Sequence, residues 1–483
     1  MRIILQILSA FLIGAAPALA KTSASGQAHP NEARPNIVLI YVDDLGFGDL
    51  GAYGHPVIET PVIDKLADEG VRLTSFYSPS PLCSPSRASL LTGRTPYRTG
   101  IESWIPQGTD AYLSEKEITI ATLFKDYGYQ TAIVGKWHLN GGLDRSDQAQ
   151  PADHGFEHAY VLHAFPIPHQ HNPTNFHANG EPLGEVKGFT AEIVVNEAIS
   201  WLDQRDAEAP IFLYLPFVEP HGTIASPDKF LEKYSNYTNG EPVPVVNGLP
   251  GYPEALEARG PGEYYANVNH LDNQLGRLLE YLDGEGLREN TIVLFLSDNG
   301  PVTTDWRAWW EVNLYGDTGG YRGRKADLYE GGIRVPGIIR YPGHVTPGSI
   351  SQTPINGYDI MPTLAALADI PMPADRAIDG VDLSPIFKGD ALERDRPLFW
   401  AFPARENDPN YVVLDGDWKL LAGKEKKPLA LYNLGDDRFE LNNLLSTEPD
   451  VAARLHEKML DYIKDVENDP LRPDWAVNWK PQL

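Results

Sequence analysis

The 483-residue chain is 42% hydrophobic and 22% charged, and its 66 Asp+Glu against 40 Lys+Arg leave a formal charge of -26. That length supplies one large core, or a large and a small domain, and exceeds what a small binding module needs. The acid excess excludes a general polyanion-binding surface, so an anionic ligand has to be drawn in by a local cation cluster or a metal.

In chain order, the first element is a leader. Arg2, an apolar run from Ile3 to Ala16 and the small-residue pattern Ala18-Leu19-Ala20 before Lys21 read as a secretory signal cleaved after Ala20. The apolar run is too short to span a bilayer, and no later stretch is long and apolar enough. The expected product is secreted or periplasmic, with no membrane association and no nucleic-acid partner. Many secreted chains of this size carry disulfides, but Cys83 is the single cysteine and forms none internally. Packing must hold the fold together.

Short β-branched apolar runs follow at Asn36 to Val42, Gln130 to Val134, Ile211 to Phe217, Thr291 to Leu296 and Gly337 to Tyr341. Between them lie helix-period stretches: Thr60 to Glu69, Ile118 to Tyr127, Thr190 to Asp203, Glu263 to Leu282 and Asn356 to Ala368. This alternation predicts an α/β large domain, over residues 31–380, with a mostly parallel central sheet between helical layers. Pro371, Pro373 and Asp379-Gly380 then mark a linker-like passage. Beyond it, short runs at Leu398 to Phe402, Tyr411 to Leu414, Trp418 to Leu421 and Ala430 to Asn433, with Asp415-Gly416 as a hairpin turn, precede a helix from Val451 to Val466. Residues 395–483 are therefore expected to form a smaller α+β subdomain with an antiparallel sheet.

The stretch Pro81-Leu82-Cys83-Ser84-Pro85-Ser86-Arg87-Ala88-Ser89-Leu90-Leu91-Thr92-Gly93 carries the chemistry. Pro85 suits a first helical turn and Gly93 a stop, so Cys83 falls at a helix N-terminus, where free backbone N–H groups favour an anion. Arg87, four residues on, shares its face. Asp43-Asp44 and Asp298-Asn299 each close a predicted strand and offer hard oxygen ligands at neighbouring strand ends. Alone, such a pair is more often a turn or helix cap. The donor types admit calcium or magnesium equally. Lys136 and His138 end another strand, His221 follows a third, and Lys325 lies ahead of Tyr329-Glu330-Gly331-Gly332. One such residue would be unremarkable at a surface; their recurrence at strand ends suggests a common site.

Cys-x-Pro-x-Arg followed by Ala-Ser-Leu-Leu-Thr-Gly resembles the signature of the formylglycine-dependent (type I) sulfatases, within the alkaline phosphatase superfamily. The resemblance spans nearly the whole chain beyond the leader. It implies a sulfuric ester hydrolase in which a maturation enzyme oxidises Cys83 to formylglycine. It further implies one calcium ion held by Asp43, Asp44, Asp298, Asn299 and residue 83. Arg87, Lys136, His138, His221 and Lys325 would complete the catalytic set: positive groups to neutralise the sulfate, His221 or Lys325 to protonate the leaving oxygen, and His138 to release the sulfate by regenerating the aldehyde. Arg324 and Asp327 stand where many relatives carry smaller or uncharged residues.

Two further stretches suit a sulfated sugar. One is the loop from His163 to His171, which includes His169, with His177 beyond it; the other is Trp306-Arg307-Ala308-Trp309-Trp310, with Trp104 as an added candidate. Aromatic faces beside polar groups fit sugar rings, although the same residues would also pack loops, and no partner carboxylate marks the histidines as metal ligands. A sulfated carbohydrate, of galactose or amino-sugar type, is the expected partner. Two alternatives stay open: a phosphonate or phosphate ester hydrolase using the same modified cysteine, and a glycan-binding protein with a silent site.

Overall fold

Asn36–Val42 runs through the middle of a ten-stranded sheet. Its side chains alternate between two apolar clusters. Ile37, Leu39 and Tyr41 face the helices Cys83–Thr92, Ile120–Asp126 and Ile360–Leu367; Val38, Ile40 and Val42 face Pro61–Glu69, Thr190–Asp203 and Gly260–Gly284. A strand buried on both faces has no polar side to alternate with, which explains its continuous apolar reading. Each such buried aliphatic side chain contributes about 1.5–3 kcal/mol, against roughly 1–2 kcal/mol to order its backbone.

The computed structural model describes residues 34–237, 243–244, 255–256, 260–302, 314–387, 389–392, 394–404 and 408–473. The expected leader lies outside them, as do Trp306, Arg307 and Trp309. No helix among the described residues is long and apolar enough to cross a membrane.

Five parallel strands form the sheet's centre, in the order Thr291–Ser297, Asn36–Val42, Ile211–Pro216, Gln130–Lys136, His158–Leu162. Gly337–Arg340 continues one side antiparallel to Thr291–Ser297, followed by Val71–Leu73 and Ser349–Ser351. Two short strands, His177–Ala178 and Glu181–Pro182, close the other. All parallel strands point their C-terminal ends the same way, toward the crevice where ligands collect in such sheets.

The C-terminal domain is a four-stranded antiparallel sheet, Leu398–Ala401, Tyr411–Asp415, Trp418–Ala422 and Pro428–Asn433. Phe399, Val413, Leu420 and Leu431 face the Pro449–Glu467 helix. Trp400, Val412, Leu421 and Tyr432 point the other way and pack on Tyr77, Leu82, Leu328, Ile333 and Tyr358 of the large domain. This second sheet therefore backs both the start of the Cys83 helix and the segment after Lys325.

Candidate active site

Local chemistry sets each functional side chain. Leu82 is extended, Cys83–Thr92 is helical, and Gly93 stops the helix in the left-handed region at φ 68. Ser86 Oγ donates to Ser80 O at 2.9 Å and accepts from Ser80 N at 3.1 Å, fixing the entry loop against the first turn. All ten helical residues are buried. Gly135, at φ 135, sits so close to the neighbouring strand that a Cβ there would lie 2.1 Å from Pro216 O. Only glycine admits that approach just before Lys136. Asp44, His138 and Ala326 take positive φ of 64, 56 and 71. Non-glycine residues adopt this region at a cost, and such positions concentrate where a side chain must be aimed.

The strand ends bring the predicted residues together. Lys136 Nζ donates to Asp43 Oδ2 at 2.6 Å, and Arg87 Nη2 donates to Asp298 Oδ2 at 2.7 Å while standing 3.6 Å from Asp43 Oδ2. Lys325 Nζ donates to Asp44 Oδ1 and lies 3.4 Å from Cys83 Sγ. Asn299 Nδ2 also donates to Asp44 Oδ1, at 2.6 Å, and Asp44 N donates to Asp298 Oδ1 at 3.1 Å. His221 Nε2 is 3.8 Å from Asp44 Oδ2, and its Nδ1–H donates to Gly222 O at 2.6 Å. One ring nitrogen of His221, one Asp43 oxygen and Cys83 Sγ all lie within 4.8 Å of one another.

Three carboxylates thus meet three cations with almost no access to water. Burial opposes charge on Asp43, but Lys136, His221 and Arg87 hold its carboxyl well below the usual carboxylate range. Burial and the charge of Asp43 push Asp298 up to about 7. Burial, followed by the charge of Asp43, pushes the Cys83 thiol up to about 12, so an unmodified cysteine stays protonated at neutral pH. Burial lowers His221 to about 4 and, with Lys136, drives His138 well below its ordinary value. Lys325 is raised despite its burial, because Asp44 stabilises the ammonium.

One oxygen each of Asp43, Asp44 and Asp298 lies within 4.8 Å of the others. Asp43 Oδ1 and Asn299 Oδ1 are buried without a hydrogen-bond partner. Unsatisfied buried acceptors are rare and costly. An all-oxygen set with two orphaned acceptors fits a hard divalent cation.

Other predicted residues take various places. His163 Nε2 contacts Asn140 O at 2.6 Å, and its ring centroid is 5.6 Å from that of His138; Trp104 is 6.5 Å from the same ring. His169 and His171 stack on each other, and His171 stacks on Phe189 at 4.3 Å. His177 lies in a short flanking strand. Arg324 donates to Val302 O, Leu314 O and Gly316 O at 2.7, 2.9 and 2.6 Å, and Asp327 Oδ2 accepts from Arg324 N, so both brace the backbone.

Gln170 went unnoticed in the sequence. Fully buried, it donates to His221 O at 2.9 Å and accepts from Asn267 Nδ2 at 2.6 Å, which ties the histidine-rich loop to the His221 loop. Glutamine between two histidines gives no local signal for such a role.

Known proteins resemble this chain over most of its length. The sulfatase family model matches residues 35–370, and the model for the C-terminal region of N-sulphoglucosamine sulphohydrolase matches residues 318–465. Human arylsulfatase A is 34% identical, over 92% of this chain and 90% of its own. Human N-acetylgalactosamine-6-sulfatase is 32% identical, over 78% and 69%. Among solved structures, Ps i-CgsB in complex with k-i-k-neocarrahexaose superposes with a TM-score of 0.79, at 24% identity over 93% of this chain and 98% of that one, a likeness of fold. With the family model covering most of the chain and these relatives aligned along it, the protein belongs to the sulfatase family of the alkaline phosphatase superfamily.

Proposed function

We propose that the chain is an exported sulfatase that hydrolyses sulfate monoesters on a sulfated oligo- or polysaccharide, of galactose or amino-sugar type, through a formylglycine made from Cys83. The observation that carries this is the buried meeting of Cys83 with three carboxylates and three cations at the strand ends. The reading includes cleavage after Ala20, a catalytic domain over 31–380 and a C-terminal subdomain over 395–483. The names of the relatives favour a sugar, since one of them acts on N-acetylgalactosamine 6-sulfate.

Asp43, Asp44, Asp298 and Asn299 would hold a calcium ion, with residue 83 beside it. When bound, the ion supplies positive charge next to residue 83 to offset the sulfate oxygens. Sγ of Cys83 marks where oxygen takes the place of sulfur on Cβ after oxidation. Hydrated formylglycine supplies an oxygen nucleophile and a second hydroxyl through which sulfate is later expelled.

The chain's own groups do the rest. Arg87 and Lys136 hold Asp298 and Asp43 in place and add charge against the sulfate. Between the two candidates for protonating the leaving oxygen, the surroundings favour Lys325: it keeps its proton and stands 3.4 Å from Sγ, whereas His221 is held neutral with its one N–H turned to Gly222 O. His138 contacts Ile105 O through Nε2 at 3.2 Å, and its buried Nδ1 has no partner, so a neutral ring offers a lone pair as base. Trp104 and His163 flank it and would line the sugar subsite. His169, His171, Trp306, Arg307 and Trp309 complete the proposed substrate contacts.

The test is sulfate release by the mature chain after coexpression with a formylglycine-generating enzyme, on a panel of sulfated oligosaccharides, aryl sulfates and aryl phosphonates. Sugar sulfates should be turned over, and Cys83→Ala should abolish turnover. The peptide containing residue 83 should be lighter than its thiol form. Faster turnover of phosphonates than of any sulfate, or full activity in Cys83→Ala, would overturn the reading.

A further inference from the structure

A cavity of about 780 Å3 opens where the edge of the large sheet meets the C-terminal hairpin. None of the catalytic cluster lines it. Its volume lies within the range of small-ligand sites. Phe47, Tyr53 and Tyr321 supply aromatic walls, and Leu414, Asp417 and Gly435 bring the C-terminal domain to the opposite side.

Its charge inverts that of the molecule. Arg72, Arg334 and Arg438 line the cavity, against Asp417 as the one carboxylate among the described lining residues, in a chain with 66 acidic and 40 basic residues. Arg334 is committed: it donates to Thr74 O and Ser75 Oγ, pairs with Glu330 at 3.1 Å, and lies 4.8 Å over the Tyr321 ring. It builds the floor. Arg72 and Arg438 are different. Arg72 donates to Ala52 O and lies over Tyr53; Arg438 is exposed and lies 4.9 Å over Phe439. Neither pairs with a carboxylate among the described residues. Guanidinium groups with no carboxylate partner among the described residues, held beside aromatic faces, suit a ring-shaped ligand that carries an anionic group.

We infer that this cavity is a second saccharide site, which takes an anionic sugar unit, sulfated or uronic, apart from the one being hydrolysed. The anion preference follows from the lining; the choice of a saccharide rests on the function proposed above. The site would let the enzyme grip a chain while one ester is presented to the catalytic cluster.

The experiment is calorimetric binding to full-length Cys83→Ala, with and without Arg438→Glu, so that turnover plays no part. The probes are a chondroitin sulfate hexasaccharide, its chemically desulfated form, a carrageenan hexasaccharide and the monosaccharide N-acetylgalactosamine 6-sulfate. At least one sulfated hexasaccharide should bind Cys83→Ala and lose at least tenfold in affinity on addition of Arg438→Glu or, independently, of Arg72→Gln. The monosaccharide should not discriminate between the variants. Desulfated chondroitin that still senses Arg438 would assign the contact to the uronate, and one that does not would assign it to the sulfate. Equal hexasaccharide binding by Cys83→Ala and both further variants, or no binding of either hexasaccharide, would overturn the second site. Failure of the matured wild type to release sulfate from any ester would instead overturn the proposed function.

Discussion

Burial treats two histidines alike and leaves them different work. His138 follows Trp137 in the chain and His154 packs near the Trp137 ring, and both are pushed below their ordinary value chiefly by loss of water. His138 sits among cations with Nδ1 unpartnered. His154 contacts Leu113 O at 3.3 Å and lies 5.6 Å from the Trp137 ring at a tilt of 40°, away from the catalytic cluster among the described residues. Its value of about 4 in the folded chain, against 6.5 as the ordinary value, makes it a stability group. Between those two values the unfolded chain binds a proton that the folded chain refuses, so stability rises with pH and is lost as pH falls from 6.5 toward 4. The slope is about 1.4 kcal/mol per pH unit. Comparing wild type with His154→Gln isolates this contribution from all others. The stability advantage of wild type should be about 2 kcal/mol smaller at pH 5 than at pH 7, measured by urea denaturation. Parallel profiles for the two proteins would show that His154 titrates alike in the folded and the unfolded chain. At this scale the sequence was most legible where spacing is local: Cys83, Pro85 and Arg87 share one helical turn. Gln170 and His154 act through burial and contacts dozens of residues away, which single-chain spacing does not carry.

Between the two domains, one buried lysine holds an element in place. Lys419 Nζ donates to Glu330 Oε1 and approaches Glu440 Oε1, both at 2.8 Å, and all three side chains are buried. Glu330 Oε2 accepts from Tyr77 Oη at 2.9 Å, and Glu330 N donates to Glu440 Oε2 at 2.7 Å. The network thus joins the C-terminal sheet to the short Glu330–Ile333 helix that follows Lys325. Lys419→Met would leave two carboxylates facing each other away from water, at a cost of about 3–5 kcal/mol. Adding Glu440→Gln should return most of that loss, because the one remaining carboxylate, Glu330, keeps Arg334 as its partner at 3.1 Å. A double variant as unstable as the single one would mean that packing of the lysine stem, not its charge, holds the junction. Elements were read from sequence in proportion to their length and burial. Asn36–Val42 and Thr190–Asp203 have the predicted bounds, since continuous apolar runs and a clean helical period fix both ends. Val71–Leu73 and Ser349–Ser351 were missed: three residues at a sheet edge show no period, and only their neighbours' backbone makes them strands. Gly337–Arg340 was found, but its antiparallel direction comes from the route of the chain and not from its residues.

Across the whole molecule, a formal charge of -26 opposes an anionic substrate, and the catalytic cluster alone does not reverse it. Asp43, Asp44 and Asp298 balance Arg87, Lys136 and Lys325, so these six side chains sum to roughly zero when all are ionised. A divalent cation among the three aspartates would turn that balance into a local excess of two positive charges. The excess is buried and therefore poorly screened by salt, while repulsion from the distant surface acids fades over about 8–10 Å at physiological ionic strength. Such a cation would bind only where two strand ends are assembled, so it would stabilise the folded chain over the unfolded one. At a free concentration of 100 times its dissociation constant the gain is about 2.7 kcal/mol. Chelation should therefore lower the thermal midpoint and abolish sulfate release, and added calcium should restore both. Asp43→Asn or Asp298→Asn should remove the calcium-dependent shift in midpoint as well as the activity, since each takes away one of the charges that hold the ion. A midpoint that ignores chelator and calcium in the wild type, with activity intact, would mean that the aspartates serve only to pair the lysines and Arg87, and that the protein offsets the sulfate charge with its own cations.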